Sequence, residues 1–285
     1  MNADKRGVFL YLLIDNGSLQ DVSASYVGTD TQSHPSWLEP IYPERALEVS
    51  PLLMDVEAAY EAGEIDEVMG YLNAHRPALH VSIIESELRL AEIAQHLRRF
   101  IFVLDPEGKQ FTLRFADCAV LEELSSVLTP SQWAVMRGPF SRWGMHDRSG
   151  SVIQLPPNES GAHSPTPLCL DRDQLVALDE ASEPDHLIAK VQMMRHGAQL
   201  PGTVADQHAW AREAQRAWQA AHLSNPLFLL VLAEAMILSQ GKILRIPDIK
   251  NVLATDDASI FRQRLQEIVR ENVRSLTMES NAGKK

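Results

Sequence analysis

Arg98 to Leu121, RRFIFVLDPEGKQFTLRFADCAVL, restricts the fold of this chain more than any other stretch. Two runs rich in β-branched and aromatic residues, Phe100–Leu104 and Phe111–Phe115, flank Asp105-Pro106-Glu107-Gly108. Proline presets φ at about −65° and glycine admits positive φ, so the tetrapeptide is a turn and the runs form an antiparallel hairpin. Side chains alternate along a strand, which puts Phe111, Leu113 and Phe115 on one face and Thr112 and Arg114 on the other. Asp117 stands where an N-cap belongs, ahead of Val120, Leu121 and Leu124 at helical spacing. A hairpin that feeds straight into a helix requires a sheet with helices packed against it.

The flanking sequence extends that sheet. Leu90, Ile93, Ala94 and Leu97 recur at i, i+3, i+4 and i+7 opposite Glu92, Gln95, His96 and Arg98, an amphipathic helix. Preceded by a strand at His80–Ile84 and followed by Phe100–Leu104, it makes a βαβ unit and a mixed sheet. Gly7–Ile14 is a continuous apolar run, a strand buried on both faces. Asn16-Gly17 turns the chain, Leu19–Tyr26 has the pattern of a short helix, and Gly28–Pro40 is mostly loop. Trp37, Leu38 and Ile41 return the chain to the sheet, and Leu52–Val56 supplies a second core strand. A helix over Ala58–Ala74 is interrupted near Gly63. Another begins at Thr129-Pro130, and late strands fall at Ser141–His146 and Val152–Leu155.

Pro156 to Pro167, PPNESGAHSPTP, has four prolines and almost no bulky apolar residue, the composition of a linker. Beyond it the pattern is helical. Ser182-x-x-Asp185, with Pro184 in the first turn, opens one helix and Thr203-x-x-Asp206 opens the next. Asn225-Pro226 caps a third that Gly241 stops, and the last runs from about Asp257 to Leu276. The expected organisation is an α/β lobe over residues 1–155, with a mixed sheet and flanking helices. A Pro/Ser-rich linker over 156–170 and an all-α helical-bundle lobe over 171–285 follow.

A formal charge of −12 and a pI near 5.3 do not supply the basic stripe of a nucleic-acid-binding protein. Cys118 and Cys169, the only cysteines, do not make a disulfide framework and suit a reducing cytoplasm. Lys5-Arg6 before Gly7–Ile14 imitates a signal peptide, but the run stops at Asp15 without a small-residue cleavage site and reads as a strand. Pro226–Leu238, the longest apolar stretch, contains Glu234 and is too short to span a bilayer. The expectation is a cytoplasmic protein that neither inserts in membranes nor binds nucleic acid.

Catalytic motifs are scarce. Gly138-Pro-Phe-Ser141-Arg-Trp-Gly144 has the wrong spacing for a nucleophile elbow, and Gly241-Lys242 lacks the first glycine of a phosphate loop. The ten histidines form neither HExxH nor a close pair at ligand spacing, so neither metal nor cofactor is expected. Ser160 and His163 are the nearest approach to a reactive pair, in the segment least able to hold catalytic geometry. Asp15 ends a core strand, where α/β enzymes keep acids; its structural alternative is a carboxylate accepting hydrogen bonds from the following turn. Arg114 can pair with Asp15 or with Asp117. No residue is assigned a catalytic role, and Asp15, Arg114 and Asp117 are taken as a structural motif.

Trp37, Trp133, Trp143, Trp210 and Trp218 have core spacing. Leu227 to Leu232 are apolar around the whole helix circumference, so that helix is the buried centre of a bundle or is partly held for a partner. Phe228 and Val231 are the candidate partner-binding residues.

The order strand, D-x-x-G turn, strand ending Arg114-Phe115, then Asp117 at a helix start, resembles the adaptor (chaperone) proteins of bacterial type VI secretion, which contain a domain long catalogued as of unknown function. Tyr11-Leu12-Leu13-Ile14-Asp15, the Arg98-Arg99 pair, and Pro130-Ser131-Gln132 followed by Gly138-Pro139 and Trp143 resemble it in the expected order. The likeness covers roughly Gly7 to Trp143; Ala116 and Cys118 stand where the family has an aromatic and a proline beside the aspartate. The resemblance implies a non-enzymatic adaptor that binds a newly made secreted effector; the mechanistic expectation is that the effector's amino-terminal region is held in a cleft between the lobes. The resemblance also implies loading of that effector onto the secretion spike protein. The alternatives are an uncharacterised hydrolase using Asp15 or the Ser160–His163 neighbourhood, and an immunity-type protein that neutralises a toxin.

Overall fold

The computed structural model describes residues 7–16, 34–42, 44–73, 76–157, 167–255 and 257–282. The chain divides into two compact units, Met1–Leu178 and Asp179–Lys285. The first carries the sheets and the second is helical, an α/β unit followed by an α unit as expected. Of the expected linker, only Pro156, Pro157 and Pro167–Leu170 are described; residues 158–166, with Ser160 and His163, lie outside the described residues, as does the expected helix Leu19–Tyr26.

Six strands form the main sheet in the order β2-β3-β1-β4-β7-β8. They are β1 (Phe9–Ile14), β2 (Leu38–Pro40), β3 (Leu52–Asp55), β4 (Val81–Ser86), β7 (Phe140–His146) and β8 (Val152–Gln154). Every pairing in it is antiparallel. The apolar run of β1 is buried on both faces because its alternate residues enter two cores. Tyr11 and Leu13 pack with Ile84, Trp143 and Met145 on one side; Leu12 and Ile14 pack with Leu52, Met54 and Val81 on the other.

Helices cover both faces. The first core takes Ile93, Ala94 and Leu97 of α3 (Leu90–Arg98), Leu121 and Leu124 of α4 (Cys118–Val127), and Trp133 and Met136 of α5 (Pro130–Arg137). Trp133 and Trp143 stack at 5.9 Å within it. The second core takes Ala59 of α1 (Val56–Glu61) and Val68 and Leu72 of α2 (Ile65–Asn73). Gly63, at φ +77°, separates α1 from α2, where the sequence places the interruption.

The hairpin forms, shorter than expected: β5 (Phe102–Leu104) pairs antiparallel with β6 (Gln110–Thr112). Gly108 sits at φ +81°, and the Asp105 carboxylate accepts the Lys109 N–H at 2.7 Å. The expected βαβ unit is a correction. Both neighbours of β4 are antiparallel strands, β1 and β7, so no slot remains for β5 beside it. Instead β5 joins a small second sheet, β6-β5-β9, where β9 (Leu168–Cys169) supplies the parallel pairing. Leu113 and Phe115 leave the strand yet stay buried in the first core.

His96 of α3 is enclosed where α3, α5 and β7 meet. Its Nε2–H donates to the Met136 carbonyl at 2.8 Å, and its ring lies 5.1 Å from Phe100 and 5.4 Å from Phe140. Burial lowers its pKa below the ordinary 6.5, the Arg99 charge acts in the same direction, and the Met136 hydrogen bond opposes both. Gly138, at φ +36°, leaves no room for a Cβ, which would stand 2.6 Å from His96 Cε1.

The second unit contains the latter part of α6 (Arg172–Met194), then α7 (Val204–Ala220), α8 (Pro226–Leu238), α9 (Ile249–Leu253) and α10 (Ala258–Ala282). Thr203 and Asp206 cap α7 reciprocally, and Asn225 caps α8 by accepting the Leu227 N–H at 2.9 Å. The expected helix start at Ser182 is a second correction: Pro184 lies inside α6. Proline there removes the N–H that would bond the Glu180 carbonyl, and the Gln215 side chain of α7 donates to that carbonyl at 3.0 Å instead. Trp210 passes between Gly202 and Gly241, where an added Cβ would come within 2.6 Å and 2.8 Å of its ring.

Candidate functional site

Three of the residues singled out in the sequence meet at one place. Asp15 directly follows β1, and its N–H donates to the His80 carbonyl at 2.8 Å, which holds the end of β1 to the entry of β4. Arg114 leaves the small sheet on the way to α4, and Asp117 caps α4 by accepting the Ala119 N–H at 3.0 Å. The Arg114 Nη2 lies 2.8 Å from Asp15 Oδ2 and 3.5 Å from Asp117 Oδ2. Both alternatives for its partner are therefore realised at once, with Asp15 the closer. The Asp15 side chain is 7% exposed and that of Arg114 55% exposed, so the pair reaches from the core to solvent.

The electrostatics follow from that geometry. Burial opposes the guanidinium charge of Arg114, but the two carboxylates outweigh it and hold the group above its ordinary value. Tyr42 is raised, first by burial and then by the Asp15 charge. Cys118 begins α4, a position whose helix dipole favours a thiolate. Burial wins there and pushes the thiol up to about 12, with the Asp117 charge adding to it, while Sγ donates to the Val81 carbonyl at 3.2 Å. The cluster is a three-way electrostatic tie among β1, the hairpin exit and α4.

Phe228 and Val231 belong to the helical unit. Phe228 is buried, its ring 4.5 Å from that of Phe261 in a T-shaped contact. Val231, one turn on, is also buried but forms part of the floor of a groove of about 240 Å³ between α8 and α10. Ala235, Leu238, Leu265 and Val269 complete the apolar floor. Arg195, Glu234, Gln266 and Arg270 form its rim, with Arg195 Nη1 3.7 Å from Glu234 Oε1. Most of α8 is bundle centre, and a strip near its carboxyl end borders the groove. The rim residues were not singled out in the sequence. Their signal is that Gln266 and Arg270 stand four apart on α10, each beside a core residue of its apolar face.

No helix among the described residues is long and apolar enough to cross a membrane. Among the same residues no three His, Cys, Asp or Glu side chains are grouped to hold a metal ion. Residues 10–135 match a family described as a domain of unknown function (DUF4123). That span holds Asp15, Arg114 and Asp117 and stops before Phe228, Val231 and the groove. No curated protein and no solved structure matches the chain.

Proposed function

We propose that this chain is a non-enzymatic, cytoplasmic adaptor that binds a type VI secretion effector by its amino-terminal region and promotes its loading onto the spike protein. The observation that carries the reading is the domain at residues 10–135, over which the order of β1, hairpin, Arg114 and capping Asp117 resembles the secretion adaptors. The geometry supports a binding rather than a chemical role. Arg114 is occupied by two carboxylates, and the Cys118 thiol is held far from the thiolate form. Asp15, Arg114 and Asp117 are spent on joining elements, while the helical unit carries an apolar-floored groove between α8 and α10.

The test is co-purification of the full chain with the effector encoded beside its gene, intact and lacking the amino-terminal region, in the presence of the neighbouring spike protein. Recovery of the intact effector and loss of the truncated one is the expected result. Equal recovery of both refutes recognition of the amino terminus, and recovery of neither removes the adaptor reading. Asp15→Asn should lower stability by about 1–2 kcal/mol and leave effector recovery by the folded fraction unchanged. A stable Asp15→Asn protein that has lost a measurable hydrolytic activity favours the hydrolase.

A further inference from the structure

The groove between α8 and α10 has an apolar floor, and its size restricts what enters it. About 240 Å³ exceeds the ~150 Å³ that admits a benzene-sized group, yet falls below the ~300 Å³ at which sites for whole small-molecule ligands begin. It has room for one or two apolar side chains. Two helices, α8 and α10, make its walls, and amphipathic helices dock into grooves of that kind through anchors at i, i+3 and i+4. Met193 and Met194, 77% and 39% exposed, immediately precede Arg195 of the rim and offer adaptable apolar surface beside the opening.

The rim's charges select the partner further. It holds Arg195 and Arg270 against the single carboxylate of Glu234, which stands 3.7 Å from Arg195. The opening therefore carries one more cation than anion. The unit that holds the groove is neutral by formal charge. Asp179–Lys285 holds thirteen Lys and Arg against thirteen Asp and Glu, so the formal charge of −12 falls wholly on Met1–Leu178.

We propose that this groove seats one face of an amphipathic helix from the effector's amino-terminal region, with an apolar side chain on the Val231–Leu265–Val269 floor and a carboxylate about one turn away against Arg270. The inference rests on the adaptor reading and adds to it the docking element and the chemistry of the docked segment. Helical spacing places residues three or four apart on one face, so an apolar anchor and its acidic neighbour reach floor and rim together. A carboxylate paired at the edge of an apolar contact fixes register and orientation more than it adds affinity.

The experiment is a titration of the full chain with the intact neighbouring effector at low and moderate salt. It compares the wild type with Arg270→Glu, Gln266→Trp and Arg212→Glu. Residues 212, 266 and 270 are exposed, so the substitutions leave the core intact, and thermal unfolding of each variant verifies this. Arg270→Glu should weaken binding by about tenfold and abolish its salt dependence. Gln266→Trp, which fills the opening from its rim, should weaken it at least as much, and Arg212→Glu, an equal charge change on α7, should leave it unaltered. Reversal of one acidic residue in the effector helix to lysine should restore affinity for Arg270→Glu. Unchanged affinity in both rim variants overturns the groove while the adaptor reading stands. Failure of the wild type to bind the effector overturns both. A concentration-dependent dimer that Gln266→Trp abolishes makes the occupant a second copy of this chain and also overturns the proposal.

Discussion

The Gln215 side chain donates to the Glu180 carbonyl, the one acceptor in α6 that Pro184 deprives of its helical N–H. Gln215 is buried, so removal of its amide leaves that part-buried carbonyl without its protein donor. Gln215→Leu should cost about 1–3 kcal/mol of stability. The cost should shrink in a Pro184→Ala background, where the backbone N–H of residue 184 is restored. A double-mutant cycle by urea unfolding measures the coupling; additive effects would show that the amide and the proline are independent.

His96 makes stability depend on pH with a definite sign. Its folded pKa is below the unfolded value of 6.5, so the unfolded chain binds the additional proton between the two. The contribution of neutral His96 is complete above pH 6.5 and is lost progressively as pH falls below it. Unfolding free energy should drop between pH 7.5 and pH 5.5, and His96→Gln, which keeps a donor for the Met136 carbonyl, should flatten that drop. An identical pH slope in the variant would assign the effect to other groups.

The two thiols should differ in reactivity. Cys118 is buried with its thiol pushed up to about 12, while Cys169 is exposed on β9. Brief alkylation of the native protein at pH 8 should label Cys169 and leave Cys118 intact, with both labelled after unfolding. Peptide mass spectrometry reads the site. Prompt native labelling of Cys118 would mean that the base of α4 opens readily.

Much of the architecture is legible in the sequence because local signals and burial agree. The Thr203–Asp206 and Asn225 caps, Gly63 and the Asp105–Gly108 turn each dictate local backbone geometry. The errors arise where partners distant in sequence decide. Nothing local in β5 indicates that β4 already has two neighbours, so the βαβ pattern looks complete. Pro184 reads as a helix start because the compensating donor, Gln215, is 35 residues away from Glu180. The Arg114 cluster is partly legible: the Asp117 cap is local, whereas the Asp15 contact spans 99 residues and depends on the fold. The groove is the least legible. It arises where α8 and α10 meet, and only the uniform apolarity of Leu227–Leu232 points to that part of the chain.

Trp210 has consequences for how this chain can diverge. With Gly202 on one side and Gly241 on the other, both at positive φ, positions 202, 210 and 241 share one volume. None can drift alone: any side chain at 202 or 241 has to coincide with a smaller residue at 210. Related chains that have escaped the constraint should therefore show the three changes as a set. A chain with two glycines here and no large ring between them would have to fill the vacated space from another helix.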